Sequence, residues 1–222
     1  MNRAFDYNGV QISASKPVQK LVTRTRVLHI DSRDRDINLY PNNGNFTLYL
    51  PRAYERVTSI NIQSAEFPAV GNDTGPVASV WTGPDAGPTP SGSGALLVAT
   101  PTYFFMESQG LNMADETANT ADRSASTNSV FAKFVVPNST DSLIEYNESS
   151  NALQKVQFYP ALTKLDRFLF KLRTHTMNRN QYMYWPNIGE NSPEWSMTLE
   201  IETLENSFDE FSTIETRIAD RA

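Results

Sequence analysis

The stretch Arg26–Pro68, RVLHIDSRDRDINLYPNNGNFTLYLPRAYERVTSINIQSAEFP, decides how this chain is read. Val27, Leu28 and Ile30 form a short extended apolar segment, followed by the charged corner Asp31-Ser32-Arg33-Asp34-Arg35-Asp36 and the turn-forming Tyr40-Pro41-Asn42-Asn43-Gly44. Phe46, Leu48 and Leu50 then alternate with their neighbours up to Pro51, and Val57, Ile60 and Ile62 lead into Glu66-Phe67-Pro68. Alternation with a period of two, punctuated by turn residues and proline, predicts strand, turn, strand, crossing, strand. No catalytic constellation lies within it.

Outward from this stretch, further strands are predicted at Leu96–Ala99, Tyr103–Met106, Val130–Val136, Leu153–Tyr159, Arg167–Arg173, Gln181–Trp185 and Ser196–Thr203. About ten strands without a long helical period predict an all-β fold, an antiparallel two-sheet sandwich over residues 25–204. Residues 1–24, interrupted by Pro17, read as an extended N-terminal arm. Residues 71–94 hold six glycines and four prolines and read as a long loop between strands. Residues 109–129 read as a second surface excursion, with a short helical turn near Met113–Asn119. From Ser207 the period changes: Ser207 and Glu210 have capping-box spacing, and Phe208, Phe211, Ile214 and Ile218 recur at helical intervals. A short amphipathic helix is therefore expected in the C-terminal tail 205–222, its apolar stripe covered by the sandwich or by a neighbour.

Composition narrows the function. The chain contains no cysteine, which removes disulfides, thiolate metal sites and cysteine nucleophiles. No apolar run approaches the roughly 20 residues of a membrane-spanning helix, and a soluble, unsecreted protein is expected; the Asn-X-Ser/Thr sequons at Asn45, Asn72, Asn138 and Asn147 are then incidental. The net charge of −6 is unevenly spread. Arg3, Lys16, Lys20, Arg24 and Arg26 face only Asp6 in the first 30 residues, whereas residues 189–222 carry nine acids against Arg217 and Arg221. Scattered basic residues in an acidic chain make a poor phosphate footprint, so direct nucleic-acid binding is not expected.

Candidate chemistry is sparse. His29 and His175 lack the neighbours of a triad or a metal site. Asp31, Asp34 and Asp36 do not have EF-hand spacing, and Arg33 and Arg35 interrupt them. Alternating Asp and Arg suit mutual salt bridging or pairing across an interface, since a guanidinium grips a carboxylate through two parallel hydrogen bonds. Asp31, Arg33, Asp34, Arg35, Phe208, Phe211, Ile214 and Ile218 are thus the candidate interface residues; no catalytic, metal-binding or cofactor-binding residue is expected, and no enzymatic activity.

Two blocks of the chain resemble the minor capsid proteins of large icosahedral (nucleocytoplasmic) DNA viruses. The first holds the Ile30–Arg35 corner, Tyr40-Pro41, a strand ending Leu50-Pro51 and another closed by Glu66-Phe67-Pro68. The second runs from Tyr159-Pro160-Ala161-Leu162-Thr163-Lys164-Leu165-Asp166-Arg167-Phe168 to Arg173 and ends with the strand Trp195–Glu202. This resemblance implies a single jelly roll acting as a structural component of the virion capsid, assembled in the host cytoplasm. Its partners would be major capsid protein capsomers, other minor capsid proteins and, as a further option, copies of itself. Two alternatives remain at this stage: the single jelly-roll vertex (penton) protein of such a shell and, from another class, a carbohydrate-binding or hydrolytic β-sandwich using exposed Trp81, Trp185 or Trp195.

Overall fold

A computed structural model describes residues 4–5, 11–12, 21–70, 78–81, 94–96, 101–111, 130–136, 143–147, 155–175, 177, 180–186 and 193–206. Among them the protein is all-β, with twelve strands, one 3-10 turn at Ser32–Asp34 and no α-helix. The strands are β1 (Ala4–Phe5), β2 (Gln11–Ile12), β3 (Leu21–Asp31), β4 (Asn45–Pro68), β5 (Ser79–Trp81), β6 (Gly94–Leu96), β7 (Tyr103–Ser108), β8 (Val130–Val135), β9 (Leu143–Asn147), β10 (Lys155–Arg173), β11 (Tyr182–Tyr184) and β12 (Ser196–Asn206). The expected helical turn at 113–119 and the C-terminal helix fall outside the described residues.

The chain divides into two units, residues 1–24 with 204–222 and residues 25–203. In the first, β1 pairs antiparallel with β2, and Arg24 Nη1 meets Glu205 Oε2 at 2.9 Å. The main sheet is ordered β3-β12-β4-β10-β7-β8 with β9 also on β4, and all but the first residues of β3 and the last of β12 belong to the second unit, which also holds a smaller sheet ordered β11-β5-β6. All the described strand pairings in the two sheets are antiparallel.

Two long strands form the spine, where the sequence predicts four shorter ones. β4 runs through Pro51 without ending, and the segment expected at Leu153–Tyr159, described from Lys155 on, and the one expected at Arg167–Arg173 are both parts of β10. Proline lacks an N–H and cannot serve a ladder, yet here it displaces the strand locally instead of terminating it. Leu50–Ala53 bulge from β4 opposite Asp166, and Phe158–Ala161 bulge from β10 opposite Thr58. The two excursions sit on opposite partners and cancel. Pairing therefore returns to its original offset, and Asn45 faces Lys171 in the same frame as Asn61 faces Lys155.

Alternation sends one side of these strands into a common core. Phe46, Val57, Ile60, Ile62 and Phe67 of β4 meet Phe168, Phe170 and Leu172 of β10 and Met197, Leu199 and Ile201 of β12. Phe67 is the hub, with ring centroids 4.7 Å from Phe134, 5.1 Å from Phe104, 5.5 Å from Trp195 and 6.1 Å from Trp185. Each such side chain contributes about 1.5–3 kcal/mol on burial, so this aromatic cluster carries much of the fold's stability. On the opposite face, polar side chains tie β4, β10 and β12 together, Ser196 to Glu66 (2.6 Å), Gln63 to Glu200 (2.9 Å) and Lys155 to Glu202 (3.2 Å).

The segment read as a loop between residues 71 and 94 contains β5. Trp81 gives the reason: its ring stacks on Tyr182 at 6.1 Å and meets Tyr184 edge-on at 6.3 Å, forming a satellite cluster separate from the main core. Three residues suffice for a strand when an aromatic pair receives them. Burial alone pushes the Tyr184 hydroxyl above its ordinary pKa.

Candidate interaction surfaces

The charged corner divides into an inward half and an outward half. Ile30 is buried, β3 ends at Asp31, and the Asp31 carboxylate caps the following turn by accepting the Arg33 N–H at 2.8 Å. Ser32 turns inward: its N–H donates to the Trp195 carbonyl at 2.9 Å, its hydroxyl donates to Glu194 Oε2 at 2.5 Å, and the same oxygen accepts the Trp195 N–H at 2.9 Å.

Arg35 completes this clasp. Its Nη1 donates to Glu194 Oε2 at 2.7 Å and to the Ser32 carbonyl at 2.6 Å, Nε donates to the Tyr40 carbonyl at 3.0 Å, and Nη2 reaches the Pro41 carbonyl at 3.3 Å. Only 2% of the Arg35 side chain and 4% of the Glu194 side chain remain exposed. Of the two uses expected of the alternating charges, Arg35 shows salt bridging within the chain, its partner being Glu194 and not a neighbouring acid of the corner. Beside it, Asn43 accepts the Trp185 N–H through Oδ1 at 2.9 Å and the Trp195 Nε1–H through its carbonyl at 2.8 Å, and donates Nδ2 to the Pro193 carbonyl at 2.6 Å. Gly44 follows because the chain here presses on β11: a Cβ would lie 1.8 Å from the Met183 carbonyl oxygen.

The outward half carries Arg33, Asp34 and Asp36, all exposed. Asp36 accepts the Asn38 N–H at 3.0 Å, and its carbonyl accepts the Tyr40 N–H at 2.7 Å, closing a turn that holds Ile37 and Leu39 in solvent. Two aliphatic side chains thus stand exposed beside a pair of opposite charges. Ile37 and Leu39 escape the sequence reading because the alternating charges before them dominate the pattern.

A second surface lies on the β4–β10 ribbon. The excursions leave Tyr49, Pro51, Arg52 and Ala53 exposed on β4, and Tyr159, Pro160, Lys164 and Arg167 exposed on β10. Tyr159 is fully exposed, which is unusual for a tyrosine held on a strand. Lys164 Nζ pairs with Asp166 at 2.9 Å, and Asp166 is held below its ordinary pKa, chiefly by that hydrogen bond.

His29 Nδ1 lies 2.9 Å from Thr198 Oγ1, and His175 is an exposed residue just beyond β10. Among the described residues no three acidic or histidine side chains converge as metal ligands do. Trp81, Trp185 and Trp195 are all buried, so none offers the aromatic platform that the carbohydrate reading requires. Phe208, Phe211, Ile214 and Ile218 lie outside the described residues. No protein-family model matches this chain, and no curated protein matches it.

Proposed function

We propose that the chain is a structural minor capsid protein, a single jelly roll that binds and bridges capsomers in the shell of a large icosahedral DNA virus. The observation carrying this reading is how polar groups are spent. Arg35, Glu194, Ser32 and Asn43 hold the corner rigid from within, while Arg33, Asp34, Ile37 and Leu39 outside it, and Tyr159 on the ribbon, present contact groups without a reaction centre. A rigid platform carrying exposed aromatic and aliphatic anchors is what binding demands. Of these residues, Ser32, Arg33, Asp34, Arg35 and Tyr159 fall within the two blocks that resemble minor capsid proteins, and antiparallel sheets agree with the architecture that the resemblance implies.

The decisive measurement is the copy number and position of the chain in purified particles, by quantitative mass spectrometry and electron cryomicroscopy. Bridging predicts copies seated between capsomers, with the Asp31–Tyr40 corner or the Tyr159 ribbon at a contact. A five-fold ring of identical copies would instead make it the vertex protein. Absence from the particle would overturn the capsid reading altogether.

A further inference from the structure

β3 is the outermost strand of the main sheet, its outer edge unpaired by any other strand among the described residues. It is eleven residues long, with neither proline nor glycine, and so lacks two of the devices by which edges are blunted. Which backbone groups face outward follows from two contacts. The Ser32 N–H donates to the Trp195 carbonyl, and His29 faces Thr198 side chain to side chain. Both fit one antiparallel register, in which Leu28 and Ile30 exchange backbone hydrogen bonds with β12. The alternate residues Thr25, Val27 and His29 then turn their N–H and C=O groups to the free edge. On the sheet's solvent face Val27 is 61% exposed.

We infer that β3 pairs antiparallel with β3 of a second copy of this chain, about a two-fold axis at Val27, to make one sheet continuous through two molecules. The strand's own sequence selects this partner and register. With Val27 on the axis, Val27 meets Val27 of the other copy and Thr25 meets His29, all through outward-facing backbone groups. Arg26 then lies opposite Leu28, and Arg24 opposite Ile30. Moving the axis to Arg26 sets arginine against arginine, and moving it to Thr25 sets Arg24 against Arg26; like charges directly opposite are destabilising. Moving it to Leu28 shortens the overlap. An isologous contact of this kind closes on itself and stops at a dimer. The inference does not depend on the capsid reading.

The absence of native cysteine makes the test clean. In full-length protein, Val27→Cys places two thiols on residues about 5.5 Å apart between Cα atoms, within the disulfide range of roughly 4.4–6.8 Å. Mild oxidation should give a covalent dimer much faster than it does for His175→Cys, an exposed control away from the edge and from the ribbon. In this register Val27→Pro removes an N–H that serves no strand pairing among the described residues, so circular dichroism should stay native while sedimentation equilibrium shows self-association weakened at least ~10-fold, about 1.4 kcal/mol. In the wild type, the amides of Thr25, Val27 and His29 should gain hydrogen-exchange protection as concentration rises. A wild type that stays monomeric, equal crosslinking of the two cysteine variants, or a natively folded Val27→Pro that dimerises unchanged would each overturn the inference.

Discussion

Arg35 and Glu194 stand 159 residues apart in the chain and meet almost without water. Removing one member of such a pair leaves the other charged and buried, which costs roughly 3–5 kcal/mol. Glu194→Ala is therefore expected to lower unfolding stability in urea by that amount, whereas Arg24→Ala, breaking the largely exposed pair with Glu205, should cost less than about 1 kcal/mol. Gly44→Ala forces a methyl group onto the Met183 carbonyl, with Tyr184 Cβ only 2.9 Å away. Backbone cannot yield as a flexible side chain would, and a loss of about 3 kcal/mol is expected in the same titration. Glu202 titrates in a third context. The Ser59 hydroxyl donates to its carboxylate and Lys155 adds a further hydrogen bond and charge, together outweighing desolvation and holding it below its ordinary value of 4.5. A depressed folded pKa supplies stability that is present at neutral pH and lost as pH falls through that depressed value. Ser59→Ala should move the pKa back up, so the wild type loses more stability than the variant on acidification below about pH 4.5, measured by denaturant midpoints across pH. None of these pairings was legible in the sequence. An alternating Asp-Arg run has the same appearance whichever member turns inward, and Glu194 carries no mark that joins it to Arg35.

At the scale of elements, periodicity revealed the strands and proline misled on where they end. The apolar alternation at Phe46–Leu50 and Val57–Phe67 marks extended chain in the sequence as in the fold, but Pro51 looks like a terminus because local sequence cannot register a compensating bulge on the partner strand. The offset that Leu50–Ala53 introduces is cancelled by Phe158–Ala161, about 100 residues later, a relation only the folded ladder contains. β9 is not legible in the sequence because its alternation is confined to five residues, Leu143–Asn147, and β5 is not because glycine- and proline-rich surroundings flank Trp81. The spine makes a measurable contrast within one strand. Ser59, Ile60 and Asn61 are paired on both sides, with Gln157, Val156 and Lys155 of β10 and with Glu202, Ile201 and Glu200 of β12. Arg52 and Ala53, a few residues earlier, lie in the excursion. Native-state hydrogen exchange should find the Ile60 amide opening only with global unfolding and the Arg52 and Ala53 amides exchanging through local fluctuations. Equal protection at the two places would mean that the excursion is itself part of the cooperative ladder.

For the whole molecule, the all-β class and antiparallel pairing followed from strand count and the lack of helical periods, whereas the roles of the termini rest on pattern alone. Residues 205–222 carry Phe208, Phe211, Ile214 and Ile218 at helical spacing among Asp209, Glu210, Glu215 and Asp220. If this stripe is covered by a capsid neighbour, as the proposed function requires, its burial at about 1.5–3 kcal/mol per side chain contributes to assembly and not to the isolated fold. Ordering a short helix costs about 1–2 kcal/mol per residue in backbone entropy, so the stripe can hold the helix only where a surface receives it. Phe208→Ala with Phe211→Ala is accordingly expected to leave the melting temperature of the free protein nearly unchanged and to reduce its incorporation into particles, measured as copies per particle against the major capsid protein. A destabilisation of the free protein by several kcal/mol would place the stripe on its own chain, and the tail would then be part of the fold instead of a docking segment.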